Sequence, residues 1–328
     1  MRLITFEATG RQRYGALLAG GVVDLPAAQR ALMSQGCFPT QPFLPATLYG
    51  LLQWETTGLD LARRILERAR TALMWGQSAS LSSDAYFGCD EIVWRTPIPH
   101  QNRMFSMRGN NPILLRLDGL AIPEHPTLTP RYHGHVIGHN EPVVLQPHDG
   151  EIGWGAEFTA VIGRRGKEID EARAGAYIMG YTAINDMSGS VFRTIVPDLP
   201  LKEYLYRDQH FAGKFYGTWS MPQPVGPCIV TADEIDDPYH LSVYSRESDV
   251  PCDTVTTAAM LFRFERIIAF MSRFMTLKPG DMITSGALGW HTIPGQGYYP
   301  AGASFEIEIE QIGCLRNPII DRRQERAV

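Results

Sequence analysis

The chain has 328 residues, 44% hydrophobic and 20% charged, with a formal net charge of −5 and a pI near 6.0. This composition is that of an ordinary globular protein, and with no block of Lys and Arg it offers no footprint for nucleic acid. The five cysteines, Cys37, Cys89, Cys228, Cys252 and Cys314, are widely spaced and form no CxxC pair, so neither a disulfide framework nor a zinc knuckle is expected. The opening MRLITFEATGRQRYG lacks the apolar core of a signal peptide, and no apolar run reaches the ~18 residues that a bilayer span needs. The expectation is a reduced, soluble, cytoplasmic protein with a small-molecule substrate and no nucleic-acid or membrane partner.

In chain order, residues 1–25 read as a hairpin, with a polar turn at residues 9–12 and a second arm broken at Gly20 and Gly21. Over residues 59–75 the spacing predicts a helix, with Leu61, Ile65, Leu66, Ala69 and Leu73 on one face and Arg63, Arg64, Glu67 and Arg70 on the other. Trp94-Arg95-Thr96-Pro97 opens a second unit, which places a domain boundary near residue 95: a small N-terminal domain over 1–95 and a larger one over 96–328. The larger unit is β-rich. Apolar or β-branched runs at 142–145, 157–162, 177–185, 227–230, 240–244, 282–284 and 304–310 read as strands, and a helix is expected over 257–274. Many short strands with few helices predict an α+β, β-rich fold built on a β-roll or barrel-like core.

Several segments follow one another in a recognisable order. Trp154-Gly155-Ala156-Glu157-Phe158 runs into Val161-Ile162-Gly163-Arg164. Ile178-Met179-Gly180-Tyr181-Thr182 precedes Asn185-Asp186-Met187-Ser188, and Gly213-Lys214 precedes Val225-Gly226-Pro227 and Asp233-Glu234-Ile235. The helix with Ile267 and Ile268, the turn at 277–281 and Gly313-Cys314-Leu315-Arg316-Asn317 close the series. In order and spacing this part of the chain resembles the catalytic domain of the fumarylacetoacetate hydrolase superfamily, as a divergent member. The N-terminal hairpin resembles the small leading domain of that family. The resemblance implies a mixed β-roll assembled as a homodimer.

It also implies a site. Family members hold one divalent cation, magnesium, calcium or manganese, on a Glu-x-Glu pair and an Asp that follows Asn. The matching residues are Glu157 and Asp186, but Gly155 stands where the first Glu is expected and Gly153 where an acid often precedes it. Mg2+ or another divalent cation is therefore expected to bind weakly or not at all, and restoring a Glu at 155 is expected to raise its affinity. No nucleotide or organic cofactor is expected. Lys214 matches the family's substrate-binding lysine and is the expected cation to offset Glu157 and Asp186. Tyr132, in Tyr132-His133-Gly134, matches a substrate tyrosine of the larger hydrolases. The loop that bears the family's catalytic His reads Met104-Phe105-Ser106-Met107-Arg108-Gly109-Asn110-Asn111 and contains none, with His100 slightly upstream. Ser190 replaces the family's Arg, with Arg193 three places on, and Gly286-Ala287 replaces its Gly-Thr.

Two further features come from the residues themselves. His133, His135, His139 and His148 cluster without the spacing of a metal motif. His291, in a Gly-rich segment, is a candidate for acid/base work.

Hydrolysis of a C–C bond needs an electron sink and a base that activates water. This chain keeps part of the first and lacks the usual form of the second. Chemistry that needs only enolate or oxyanion stabilisation stays open: decarboxylation, tautomerisation, dehydration or cyclisation of an oxo-acid, β-dicarbonyl or polyketide-like substrate, in specialised metabolism. Lys214, Tyr132, Arg108 and Arg193 are the groups expected to supply it. The alternatives are a metal-dependent C–C bond hydrolase and a catalytically silent binding protein.

Overall fold

The computed structural model describes residues 1–18, 20–74, 84–99, 103–131, 136–147, 149, 151–189, 221–293 and 298–324. The leading segment forms β1 (Arg2–Ala8), β2 (Arg11–Leu18) and β3 (Gly21–Asp24), then helices α1 (Leu25–Ser34), α2 (Leu48–Leu52) and α3 (Glu55–Met74), then β4 (Tyr86–Gly88) and β5 (Val93–Arg95). Next come β6 (Met104–Arg108), α4 (Pro112–Leu117), β7 (Thr127–Arg131), β8 (Val136–Ile137) and β9 (Val143–Leu145). Two long strands follow, β10 (Ile152–Ile162) and β11 (Ile178–Gly189), with the short helix α5 (Glu171–Ala174) between them. The remainder is β12 (Gln223–Thr231), β13 (Ser242–Glu247), β14 (Val250–Thr256), α6 (Phe264–Ser272), β15 (Met282–Thr284), β16 (His291–Ile293), β17 (Ser304–Ile309) and β18 (Gly313–Asp321).

The fold is α+β and β-rich, as the pattern predicts. One sheet runs β4-β3-β2-β1-β12-β11-β10-β15-β6-β7 and a second runs β14-β13-β17-β18-β9. Both are mixed, since β6 lies parallel to β15 and β9 parallel to β18 while most neighbours are antiparallel. The expected N-terminal hairpin forms, with β1 and β2 paired from Leu3↔Ala16 to Ala8↔Arg11. Its first strand also pairs with β12 at Arg2↔Val230, so the hairpin extends the sheet that bears the central strands.

The pleat of β10 and β11 sorts their side chains onto two faces. One face carries Trp154, Ala156, Phe158, Tyr181 and Ala183 into a core shared with α6 and the second sheet. On the other face Val161, Met179 and Ile184 join a core built with α1, α2 and α3. Farther along this second face the residues change to Gly155, Glu157, Asp186 and Ser188. The apolar end is sealed by the leading segment, and the polar end opens into a cavity.

The helix expected over 257–274 is shorter. Thr257–Ala259 is a single 3-10 turn, and α6 begins only at Phe264. Between them the chain bends away from helix, where Asn110 captures its backbone: Leu261 N donates to the Asn110 carbonyl at 2.7 Å and Phe262 N to Asn110 Oδ1 at 2.7 Å. From its first turn α6 packs Phe264, fully buried, against Phe158 and Tyr181 on the back of the central strands. Phe264→Ala is expected to lower stability by about 3–5 kcal/mol, the usual cost of an aromatic-sized core cavity. Urea unfolding of the variant and the natural protein measures it.

Candidate active site

The register of β10 against β11 assembles the centre of the site. Gly155 lies opposite Asp186, Gly153 opposite Ser188, and Glu157 opposite Ile184. Glu157 and Asp186 are therefore diagonal neighbours on one face, within reach of each other. Both line a cavity of about 730 Å³, together with Arg108, Asn111, Ser188, Trp290 and Thr292. The cavity wall is held by Asn side chains. Asn111 Oδ1 caps α4 by accepting from Ile113 N at 2.9 Å while its Nδ2 donates to the Leu288 carbonyl at 2.9 Å, and Asn110 Nδ2 donates to the Ser285 carbonyl at 2.8 Å.

Arg131, the last residue of β7, reaches under this floor. Its Nη2 donates to Asp186 Oδ1 at 2.5 Å, and the two side chains are only 7% and 10% exposed. The same guanidinium donates to Ser106 Oγ at 3.3 Å and to Gln223 Oε1 at 3.4 Å. Thr284 Oγ1 donates to Ser106 Oγ at 3.5 Å and also contacts Glu157, so a ring of polar contacts links Glu157, Thr284, Ser106, Arg131 and Asp186.

Glu157 is 2% exposed, and its Oε2 has no hydrogen-bond partner among the described residues. Burial first, and then the negative charge of Asp186, push its carboxyl up to about 8, while Arg131 and Thr284 pull the other way. Such a carboxyl holds a proton at neutral pH yet releases it within reach of neutrality, the property of a general acid/base.

The residues present do not fit the divalent ion of the resembled family. Hard cations need several oxygen ligands. Of the side chains expected to supply them, Glu157 and Asp186 remain, and Asp186 is already ion-paired with Arg131. The space over the two glycines is filled. A Cβ added at Gly153 would lie 2.2 Å from Trp290 Cζ2, and one at Gly155 would lie 2.4 Å from the Gly289 carbonyl oxygen and 3.0 Å from Trp290 Cε3. The expectation that Gly155→Glu alone restores a ligand is thereby overturned, because backbone and indole occupy the position its side chain would need.

The other expected residues divide three ways. Arg108 lines the cavity with Glu157 and Asp186. His291 does not join them: it pairs with Trp154 across the strands and packs tilted against that indole, ring centroids 4.6 Å apart, on the face opposite Glu157. Burial also holds its imidazole below the ordinary value. The acid/base role expected of His291 is corrected on that ground, since alternation sends Trp290 and Thr292 to the cavity and His291 away from it. His139 is likewise spent on structure, packed on Trp94 and accepting from Arg316 N at 3.1 Å. Lys214, Tyr132, Arg193, Ser190, His100, His133, His135 and His148 lie outside the described residues. Among the described residues the cation that offsets the two carboxylates is Arg131, a role the sequence reading assigned to Lys214. Nothing in the sequence singles out Arg131 or Trp290. A lone Arg after Thr-Pro and a Trp in a Gly-rich loop carry no spacing signal, and only the fold brings them to the site.

The raised Glu157 carboxyl sets a sign for stability against pH. The folded state holds this proton when the unfolded chain has released it, so stability falls as pH rises from the ordinary carboxylate range through about 8. His139, lowered to about 4 by burial and by Arg316, acts in the opposite sense at lower pH. Thermal melts of the natural protein and Glu157→Gln across this range isolate the Glu157 contribution. The natural protein is expected to lose stability relative to the variant up to about pH 8, and parallel curves contradict the assignment.

The profile of the fumarylacetoacetate (FAA) hydrolase C-terminal family matches residues 115–320. The mitochondrial oxaloacetate tautomerase Fahd2a of Rattus norvegicus is 26% identical over 333 residues, covering 98% of this chain and 92% of that protein. Among solved structures, fumarylacetoacetate hydrolase from psychrophilic Exiguobacterium antarcticum superposes with a TM-score of 0.69 at 22% identity, covering 98% of this chain and 100% of that one. Maleylpyruvate hydrolase from Sphingobium sp. SYK-6, in complex with manganese(II) ion and pyruvate, gives a TM-score of 0.64 at 22% identity, covering 98% and 99%. The family profile, the fold and the diagonal placement of Glu157 and Asp186 on adjacent strands agree, and the chain is an enzyme of the fumarylacetoacetate hydrolase family.

Proposed function

We propose that this enzyme moves a proton on an oxo-acid or β-dicarbonyl substrate, interconverting its keto and enol forms. The observation that carries the reading is Glu157: a buried carboxyl in a cavity wall, with one oxygen free of hydrogen-bond partners among the described residues. Keto–enol exchange needs one group that takes a proton from the carbon beside a carbonyl and returns it. Ionised Glu157 removes that proton while the C–H electron pair moves to form the enolate. Protonated Glu157 then gives that proton to the enolate oxygen to form the enol, and in the reverse direction it takes the enol O–H proton and delivers it to carbon as the carbonyl reforms. Burial poises the carboxyl between the two states near neutral pH.

Arg108, Ser188 and Thr292 line the same cavity and supply hydrogen-bond donors to a substrate carboxylate or enolate oxygen. Lys214, Tyr132 and Arg193, which lie outside the described residues, stay candidates for the same task by family resemblance. The tautomerase named among the relatives supports the class of reaction. Hydrolysis would also need a base that activates water, and with no imidazole lining the cavity among the described residues that task too would fall to Glu157.

The test follows enol absorbance as enolic oxaloacetate or another 2-oxo acid reverts to the keto form. The natural enzyme is expected to accelerate the change, and Glu157→Gln to lower kcat by about 100-fold or more. Arg108→Ala is expected to raise KM more than it lowers kcat, as loss of a substrate anchor does. Undiminished kcat in Glu157→Gln would refute the reading.

A further inference from the structure

We infer that Arg131 and Trp290 together stand in for a divalent cation in this site. The guanidinium supplies the charge that keeps Glu157 and Asp186 side by side, and the indole fills the space in which further ion ligands would sit. The inference rests on the proton-transfer reading for the claim that this is the working site, but its test reads ion binding and stability, not turnover.

The charge argument comes first. Two carboxyl groups buried on adjacent strands repel each other when both are ionised, and even one ionised carboxylate there needs a compensating positive charge. Arg131 meets Asp186 at 2.5 Å from a position almost closed to water. It is held there by Ser106 and Gln223, and Gln223 is itself fixed by donating from Nε2 to the Met187 carbonyl at 2.8 Å. The compensating cation is therefore built into the sheet.

The space argument is independent of it. The chain on both sides of Trp290 is tied to β10: Leu288 N donates to the Ala156 carbonyl at 2.9 Å, and His291 pairs with Trp154. Between these ties the indole lies over Gly153, where a Cβ would meet the ring at 2.2 Å, and at Gly155 the Gly289 carbonyl oxygen at 2.4 Å, with the ring beside it at 3.0 Å, leaves no room for a Cβ. An indole ring offers no oxygen ligand to a hard cation. An ion entering here would have to displace the ring and compete with Arg131 for Asp186.

The experiment measures metal content and thermal stability of chelator-treated, dialysed protein, with Mn2+ or Mg2+ added back. The natural protein is expected to hold no stoichiometric ion and to keep its Tm unchanged. The double variant Gly153→Asp/Trp290→Gly restores a carboxylate and the room for it, since the nearest neighbours of a Cβ at 153 are all atoms of the Trp290 ring, and its Tm is expected to rise by several degrees with Mn2+ as a ligand-linked stabilisation. Arg131→Met is expected to lower Tm, and adding Asp186→Asn to recover most of the loss, because the second change removes the stranded charge. Stoichiometric Mn2+ on the natural protein, or an Mn2+-dependent rise in its Tm, would overturn the inference even if the double variant failed to fold. So would an Arg131→Met loss that Asp186→Asn leaves in place, since that pattern means packing and not charge.

Discussion

Two acids buried on neighbouring strands set the terms for everything around them. Removing a carboxylate from water costs several kcal/mol unless it is paired or protonated. The structure uses both remedies at once. Asp186 is paired with Arg131, while burial and the charge of Asp186 keep Glu157 protonated to about pH 8. The division of roles resembles the general pattern in which one environment drives two carboxyls apart in acidity and so creates an acid and a counter-charge. A proton on Glu157 then serves two ends: it relieves the repulsion, and it is the proton the chemistry needs.

The fold makes this arrangement affordable by alternation. The strands that expose Glu157 and Asp186 to the cavity bury Trp154, Phe158 and Tyr181 on their other face, where α6 and the second sheet clamp them. The same alternation separates Trp290 from His291, although they are adjacent in sequence. One becomes cavity wall and the other packs against Trp154. Gly153 leaves the space that the Trp290 indole fills, and Gly155 leaves space for the Gly289 carbonyl beside it, so the glycines and the 289–290 segment form one local solution.

Much of the framework is legible in the sequence because it depends on local pattern. The N-terminal hairpin, the long amphipathic helix α3, the central strands and the pairing of Glu157 with Asp186 follow from periodicity or from ordered family motifs. What escapes is set by distant contacts. The start of α6 is moved by Asn110, more than a hundred residues away, which holds the preceding segment in a non-helical bend. Arg131 reaches Asp186 because β7 lies at the far end of a sheet order that no sequence spacing records. His291 looked catalytic for its residue type, and the parity of a strand turned it away from the cavity.

The most direct measurement of the central claim, that Glu157 exchanges a proton with carbon, is hydrogen–deuterium exchange at the carbon beside the carbonyl of a 2-oxo acid in D2O, followed by NMR. The account predicts that the natural enzyme speeds this exchange well above the buffer rate, that Glu157→Gln reduces it nearly to that rate, and that removing divalent ions leaves it unchanged. Exchange by the variant as fast as by the natural enzyme would contradict the account.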